Sequence, residues 1–328
     1  MSKSKSGTNV FVIIFKSLMI YIKNFLPLSR VMIFPVFGQL IGMFLIFYPN
    51  YLYTEKYLAK LPAEVLQQNI VFILLGLLLL VIPGFAVFIK AFWDYMVVIV
   101  SLNSMVSDIE KKGSFGDFKV YNSSVKLKTN NYVILLLLLA LFWLAVLIFP
   151  FLVLFLGIYL ISTSVDPIYF APIAFVILPF MVGVLGILSI ILAVYLSLVF
   201  QIVAFESISP VEIIKKSWNL MKGNFWRTVF MGSVLLIATC FIVPGLIASI
   251  VEQSLFMQHL ITPFETYISL FSGNQVFIEF LATIKMTPFG FSEAMALSTV
   301  GTVVTAMMLP WGSACFTMLY FDILSRKR

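Results

Sequence analysis

The sequence predicts an all-α, polytopic membrane protein with six transmembrane helices, arranged as three repeats of an interfacial helix followed by a transmembrane hairpin. Three observations predict it: apolar stretches long enough to cross a bilayer, an alternating distribution of Lys and Arg between them, and a short motif that recurs in phase with both. Of the 328 residues, 62% are hydrophobic and 11% charged, against roughly 45–50% and 25% in a soluble domain. The mean hydropathy is +1.09. No water-soluble core absorbs that much apolar surface.

Crossing a hydrocarbon core of about 30 Å takes about 20 apolar residues. The expected spans are approximately 28–51, 70–93, 132–161, 169–203, 225–250 and 294–322. From the second onward each carries a breaker: Pro83-Gly84, Pro150, Pro172 with Pro179, Pro244-Gly245, and Pro310. Kinks or local unwinding are therefore expected, facing neighbouring helices or a cavity, since freed backbone groups are costly in lipid. The apolar stretch before the first span is interrupted by Lys16 and lacks a small-residue cleavage site, so it reads as a retained segment and not a secretory signal.

The positive charge follows the topology. Segments 1–30, 90–130, 206–227 and 323–328 hold 5, 6, 4 and 3 of the 21 Lys and Arg residues, leaving only Lys56, Lys60 and Lys285 in the alternate loops. By the positive-inside rule both termini are expected in the cytoplasm, with the loops near 54–69, 163–168 and 251–292 outside. A nucleic-acid partner is not expected, because a basic groove needs an aqueous surface that this chain barely has. The two cysteines, Cys240 and Cys315, both fall in apolar helices and are expected as buried thiols, not as a disulfide or zinc site.

In three of these basic segments a Ser is followed seven residues later by Asn and an aromatic: Ser17 with Asn24-Phe25, Ser124 with Asn131-Tyr132, and Ser217 with Asn224-Phe225. Each copy precedes a pair of spans. The chain is thus expected to be one membrane domain of three units, approximately 8–107, 114–205 and 208–322. The third unit is written most clearly. Ser209-Pro210-Val211-Glu212 is a capping box with proline at the first helical position, and Gly223 is the stop, predicting a helix over 210–222. Ile213, Ile214, Trp218, Leu220 and Met221 gather on one side of it and Lys215, Asn219 and Lys222 on the other, the pattern of a helix lying in the membrane interface. Residues 11–25 repeat the idea with a wider apolar arc and a polar stripe reduced to Lys16 and Lys23.

The run AFESISPVEIIKKSWNLMKGNFWRTVFMGSVLLI, residues 204–237, resembles the bacterial membrane domain attached to some glycerophosphoryl diester phosphodiesterases, and its stand-alone relatives. The shared features are Glu206 after a long span, Ser-Pro, KKSW, and Gly-x-Phe-Trp opening the next span; the ending LPWGSACFTMLYFDILSRKR is similar too. The resemblance covers roughly the last 130 residues and implies a membrane protein of the bacterial cytoplasmic (inner) membrane. It carries over no catalytic residue. The phosphodiesterase barrel of that family uses paired histidines and acidic metal ligands, whereas this chain has one histidine and no such domain.

Reactive residues are sparse. His259 stands alone in the segment FMQHLITPF, and no Gly-rich phosphate loop, His-Glu-x-x-His or nucleophile elbow occurs. No catalytic residue, metal site or cofactor is expected. The span interiors carry almost no charge, unlike those of ion-coupled transporters. Lys90 and Asp94, four apart near the end of the second span, are expected as a local ion pair. Glu206 and Asp322, at equivalent ends of the fourth and sixth spans, are expected to anchor helix ends and to touch the interfacial helices. Gly38-x-x-x-Gly42, with Gly183 and Gly186, would let helices pack closely within the chain. Segment 251–292, rich in Phe and poor in charge, is expected to lie on or dip into the outer leaflet.

These features favour a non-enzymatic module that organises lipid or holds partner proteins. Lys215, Trp218, Met221 and Lys222 are its candidate contacts to membrane lipids, anionic ones in particular, or to a protein partner at the cytoplasmic face. The alternative is a transporter or permease subunit for an apolar or lipid-like substrate, which proline-broken repeats would suit.

Overall fold

The computed structural model describes every residue except 1–7, 63, 64, 66, 67, 165, 166, 255, 270–274, 284 and 328. Among the described residues all regular structure is helical. Five helices among the described residues are long and apolar enough to cross a membrane: Phe25–Asn50, Val71–Lys112, Gly183–Phe205, Phe225–Glu252 and Pro288–Lys327. A bent pair, Phe118–Lys126 with Asn130–Val146 at 73°, is the remaining candidate.

In chain order the helices are α1 (Val10–Lys23), α2 (Phe25–Arg30), α3 (Ile33–Lys56), α4 (Ile70–Lys112), α5 (Phe118–Leu127), α6 (Thr129–Ser164) and α7 (Pro167–Leu196). There follow α8 (Val199–Phe205), α9 (Pro210–Met221), α10 (Phe225–Leu236), a π-helical segment Ile237–Ile242, α11 (Val243–Glu252), α12 (Phe256–Ser269), α13 (Gln275–Thr283) and α14 (Pro288–Lys327). The second span was expected to stop near residue 93, but α4 runs on to Lys112. Its 43 residues make it about 64 Å long at 1.5 Å per residue, about twice the hydrocarbon thickness. The reason is an apolar stripe: Val98, Leu102, Met105 and Ile109, three or four apart, are all buried, so the helix keeps a packing face beyond its lipid-length segment. The last helix, α14, is likewise 40 residues long.

The chain divides into two compact units. The first comprises Met1–Lys16, Asn103–Met231 and Cys315–Arg328. Its core includes Tyr132, Leu135, Leu198, Ile202, Met221 and Tyr320, each almost wholly enclosed. Helix α9 packs on α6, α7 and α8 there.

The second unit comprises Ser17–Leu102 and Gly232–Ala314. In it α3 and α4 approach closely. A Cβ at Gly42 would stand 2.9 Å from Phe88 N, one at Gly38 3.0 Å from Ala91 Cβ, and one at Gly84 2.5 Å from Ile46 N. The Gly38/Gly42 pair therefore serves packing within the chain, as expected. Gly183 and Gly186 do not, since nothing lies within 4 Å of the corresponding positions. Only Pro244-Gly245 among the described breakers is preceded by unwinding, the π-helical segment. Thr305 Oγ1 donates to the Thr239 carbonyl in that segment at 3.2 Å, supplying a partner where the regular ladder is interrupted. Pro83 and Pro310 sit inside continuous helices, and near the latter Tyr21 OH donates to the Met307 carbonyl at 2.9 Å. The segment expected to lie flat outside the spans forms α12 and α13. On α12, Met257 and Ile261 are buried with Ala296 of α14, so that stretch packs on protein; Phe271 lies outside the described residues. Cys315 is buried as expected, whereas Cys240 is exposed on the π-helical segment.

Candidate functional site

The basic ends of the helices in the first unit gather most of the chain's described ionic contacts, and α9 joins them through Lys216. Its start is fixed locally, as the sequence predicts. Ser209 N–H donates to Glu212 Oε2 at 3.1 Å, Glu212 N–H donates to Ser209 Oγ at 3.4 Å, and Pro210 takes the first turn. The bond from the Ser209 backbone holds the Glu212 carboxyl below its usual range. The helix ends at Met221, with Lys222 as its cap and Gly223 in the left-handed region at φ +84°.

The inward face of α9 differs from the one expected. Ile213, Ser217, Leu220 and Met221 are buried, and the apolar side packs on protein in place of lipid. Ser217 Oγ donates to the Tyr195 carbonyl at 2.8 Å. Trp218 stacks on Tyr195 with ring centroids 4.1 Å apart and 20° between planes. Met221 is 0% exposed, and its sulfur accepts from Thr228 Oγ1 at 3.3 Å. Of the four candidate contact residues, then, Met221 is a core residue and Trp218 a half-buried one. Lys215 and Lys222 remain exposed on the outward face with Glu212 and Asn219. Ile214 is half-buried.

Glu206, expected as a helix-end anchor, caps α8 and joins four elements. Its carboxylate accepts from Lys216 Nζ on α9 at 2.5 Å and from Tyr320 OH on α14 at 2.5 Å. Lys128, at the α5–α6 junction, donates to the Val203 and Glu206 carbonyls at 3.0 and 3.3 Å. Burial pulls its amine below the ordinary lysine range. Glu206, Ile208, Glu212, Lys215, Lys216 and Asn219 line a shallow open depression of about 380 Å³.

Asp322 forms a second hub. It accepts from Arg227 of α10 and Arg326 of α14, each at 2.5 Å, and from the Thr8 backbone N–H at 3.0 Å. Arg227 also donates to the Thr8 carbonyl. Beneath these hubs Asn103 Oδ1 accepts from Gln201 Nε2 at 3.4 Å and Thr317 Oγ1 at 3.1 Å, all three buried. Lys90 and Asp94 pair across one helical turn and remain exposed, the local ion pair expected of them.

Sequence reading missed Lys128, Lys216, Tyr320, Arg227 and Thr8, and the buried trio. Lys216 and Arg227 stand in recognisable segments, but Lys128 lies 78 residues from its partner and no local pattern marks it. Among the described residues no three His, Cys, Asp or Glu side chains group as metal ligands. No family model, curated protein or solved structure matches the chain. The long apolar helices define it as an all-helical, multi-pass membrane protein.

Proposed function

We propose that the chain is a six-span module of a bacterial cytoplasmic membrane, with both termini cytoplasmic, that organises lipid or scaffolds partners without catalysing a reaction. The supporting observation is α9: its apolar side is occupied by protein, while Lys215 and Lys222 are exposed, the former lining an open depression. Free lysines at a membrane surface attract anionic headgroups by about 1 kcal/mol each, an attraction screened by salt. Lipid is therefore the favoured occupant, and a soluble protein the competing one. The resemblance of residues 204–237 to the phosphodiesterase-associated membrane domain accords with this reading.

The three-unit organisation belongs to the same proposal. Its support is the match of the first and third copies at an offset of 200: Ile13 and Ile213, Ser17 and Ser217, and Tyr21 and Met221 are all buried. In both, the Asn at the helix break donates back one turn, Asn24 to Ile20 O at 2.9 Å and Asn224 to Leu220 O at 3.1 Å. The second copy departs from this pattern, since Ser124 is exposed and Tyr121 and Val125 are buried instead.

Replacing Lys215 and Lys222 together by Gln, followed by mild-detergent purification and mass spectrometry, tests the reading. Loss of anionic lipid with proteins retained supports lipid organisation, loss of a protein with lipids retained supports scaffolding, and retention of both removes the role assigned to α9. Cysteines at Lys60, Ser114 and Lys327 test orientation, with labelling by an impermeant thiol reagent in intact cells expected at residue 60 alone. A transporter of apolar substrate is the second reading, favoured by the π-helical segment whose carbonyl is met by Thr305 of α14.

A further inference from the structure

Before the first span, α1 presents an outward row that the ionic network does not use. Phe11, Val12 and Phe15 are 63%, 52% and 65% exposed. Beside them, at the start of α10, Trp226 and Phe230 are 79% and 43% exposed, and the Phe11 and Phe230 rings meet edge to face at 5.3 Å. These five side chains form one patch within the first unit. Thr8, which leads into α1, is bound on both its backbone groups by Asp322 and Arg227, so the patch is held in place from one end.

We infer that this patch is a lipid anchor, seated at the boundary between headgroups and acyl chains, and that the Asp322–Arg227 pair is the latch that sets α1 into it. Continuity identifies lipid as the occupant. Phe230 lies on a candidate span, Phe225–Glu252, along which Ile237 and Phe241 are also exposed. A helix that faces acyl chains at Ile237 and Phe241 places Phe230 at their upper end and Trp226, one turn earlier, at the headgroups, where Trp is favoured. Phe11 touches Phe230 and so shares its depth. The inference rests on the membrane reading but not on the role given to Lys215.

The test is a bimane fluorophore on Phe15→Cys in a Cys240→Ala background, reconstituted into phosphatidylcholine–phosphatidylglycerol vesicles, with Ser114→Cys, exposed in the connection between α4 and α5, labelled as the aqueous control. Quenching of residue 15 by lipid carrying a shallow nitroxide, with little quenching by iodide, is expected, together with the reverse at residue 114. Iodide quenching of residue 15 equal to that at 114 overturns the anchor. Shielding from both quenchers also overturns it, because a protein surface would then cover the patch. Should the labelled variant fail to fold, quenching by brominated lipid of the native protein against Trp226→Phe reads the same depth; no difference between them counts against the anchor. Asp322→Ala is expected to reduce lipid quenching at residue 15, and unchanged quenching overturns the latch. Lys215→Gln should leave the signal at residue 15 intact, which separates this inference from the headgroup reading of α9.

Discussion

Helices α1 and α9 bury the same positions and expose opposite chemistries. Inward, Ile13 and Ile213 are each 3% exposed, and Ser17 and Ser217 are both 0% exposed. Outward, Phe15, Met19 and Ile22 of α1 stand where α9 has Lys215, Asn219 and Lys222. Packing fixes the inward row, because a buried small hydroxyl flanked by apolar residues fits one geometry. The outward row is free of that constraint and is set by the medium each helix meets. The starts differ as well. Both have a local cap, Asn9 Oδ1 accepting from the Phe11 N–H at 3.1 Å in α1 and the capping box in α9, but Thr8, ahead of the α1 cap, is also tied to Asp322 and Arg227, far away in sequence.

The largest effect that would break the comparison is at the latch. Asp322 and Arg227 are 9% and 14% exposed, and removing one partner of such a pair leaves an uncompensated charge, costing about 3 kcal/mol. Asp322→Ala should lower the melting temperature in detergent and speed amide exchange through the first turns of α1, leaving α9 protected. Equal loss of protection in both helices would show that the two starts are not independent.

Next in size are the paired serines. Leucine at either position overpacks the inward row, at about 1–3 kcal/mol, and at residue 217 also strips the Tyr195 carbonyl of its donor. Ser17→Leu and Ser217→Leu should destabilise to similar degrees, measured by thermal shift. A harmless substitution at one of them would undo the equivalence of the two faces.

Ser209→Ala removes the box, costing about 1 kcal/mol, and should quicken exchange across residues 213–216 alone. Because the Glu212 carboxyl is held low in the folded chain, its contribution is present above the unfolded carboxylate pKa and is lost as pH falls through the folded one. Acidification should therefore loosen the start of α9 in the wild type and change little in Glu212→Gln, which has no carboxyl to protonate. The smallest effect is expected at the outward lysines: Lys215→Gln and Lys222→Gln should each alter stability by no more than about 0.5 kcal/mol. A larger change would mean that the outward face of α9 is not free.

Much of this was legible in the chain itself. Lipid-length apolar runs, the Ser209–Glu212 box and the Gly223 stop are local, each requiring residues within one helix or turn, so composition and spacing carry them. Glu206 and Asp322 could be read as helix-end anchors because a lone carboxylate after a long apolar run has few other uses. Which cations meet them was not legible. Lys128, Tyr320 and Arg227 reach these carboxylates or their backbone across 78 to 114 residues, and nothing in the local sequence distinguishes them from other interfacial cations and aromatics.

The sequence by itself determined that the chain is helical, that it enters a membrane and where α9 begins and ends, because hydropathy and capping act over one span or one turn. Only the tertiary structure decided how far α4 and α14 continue beyond lipid length and that the apolar side of α9 rests on α6, α7 and α8. An amphipathic face has the same sequence whether it is covered by protein or by lipid, since both remove apolar surface from water equally well. What covers it is settled by which other helices fold close enough to reach it.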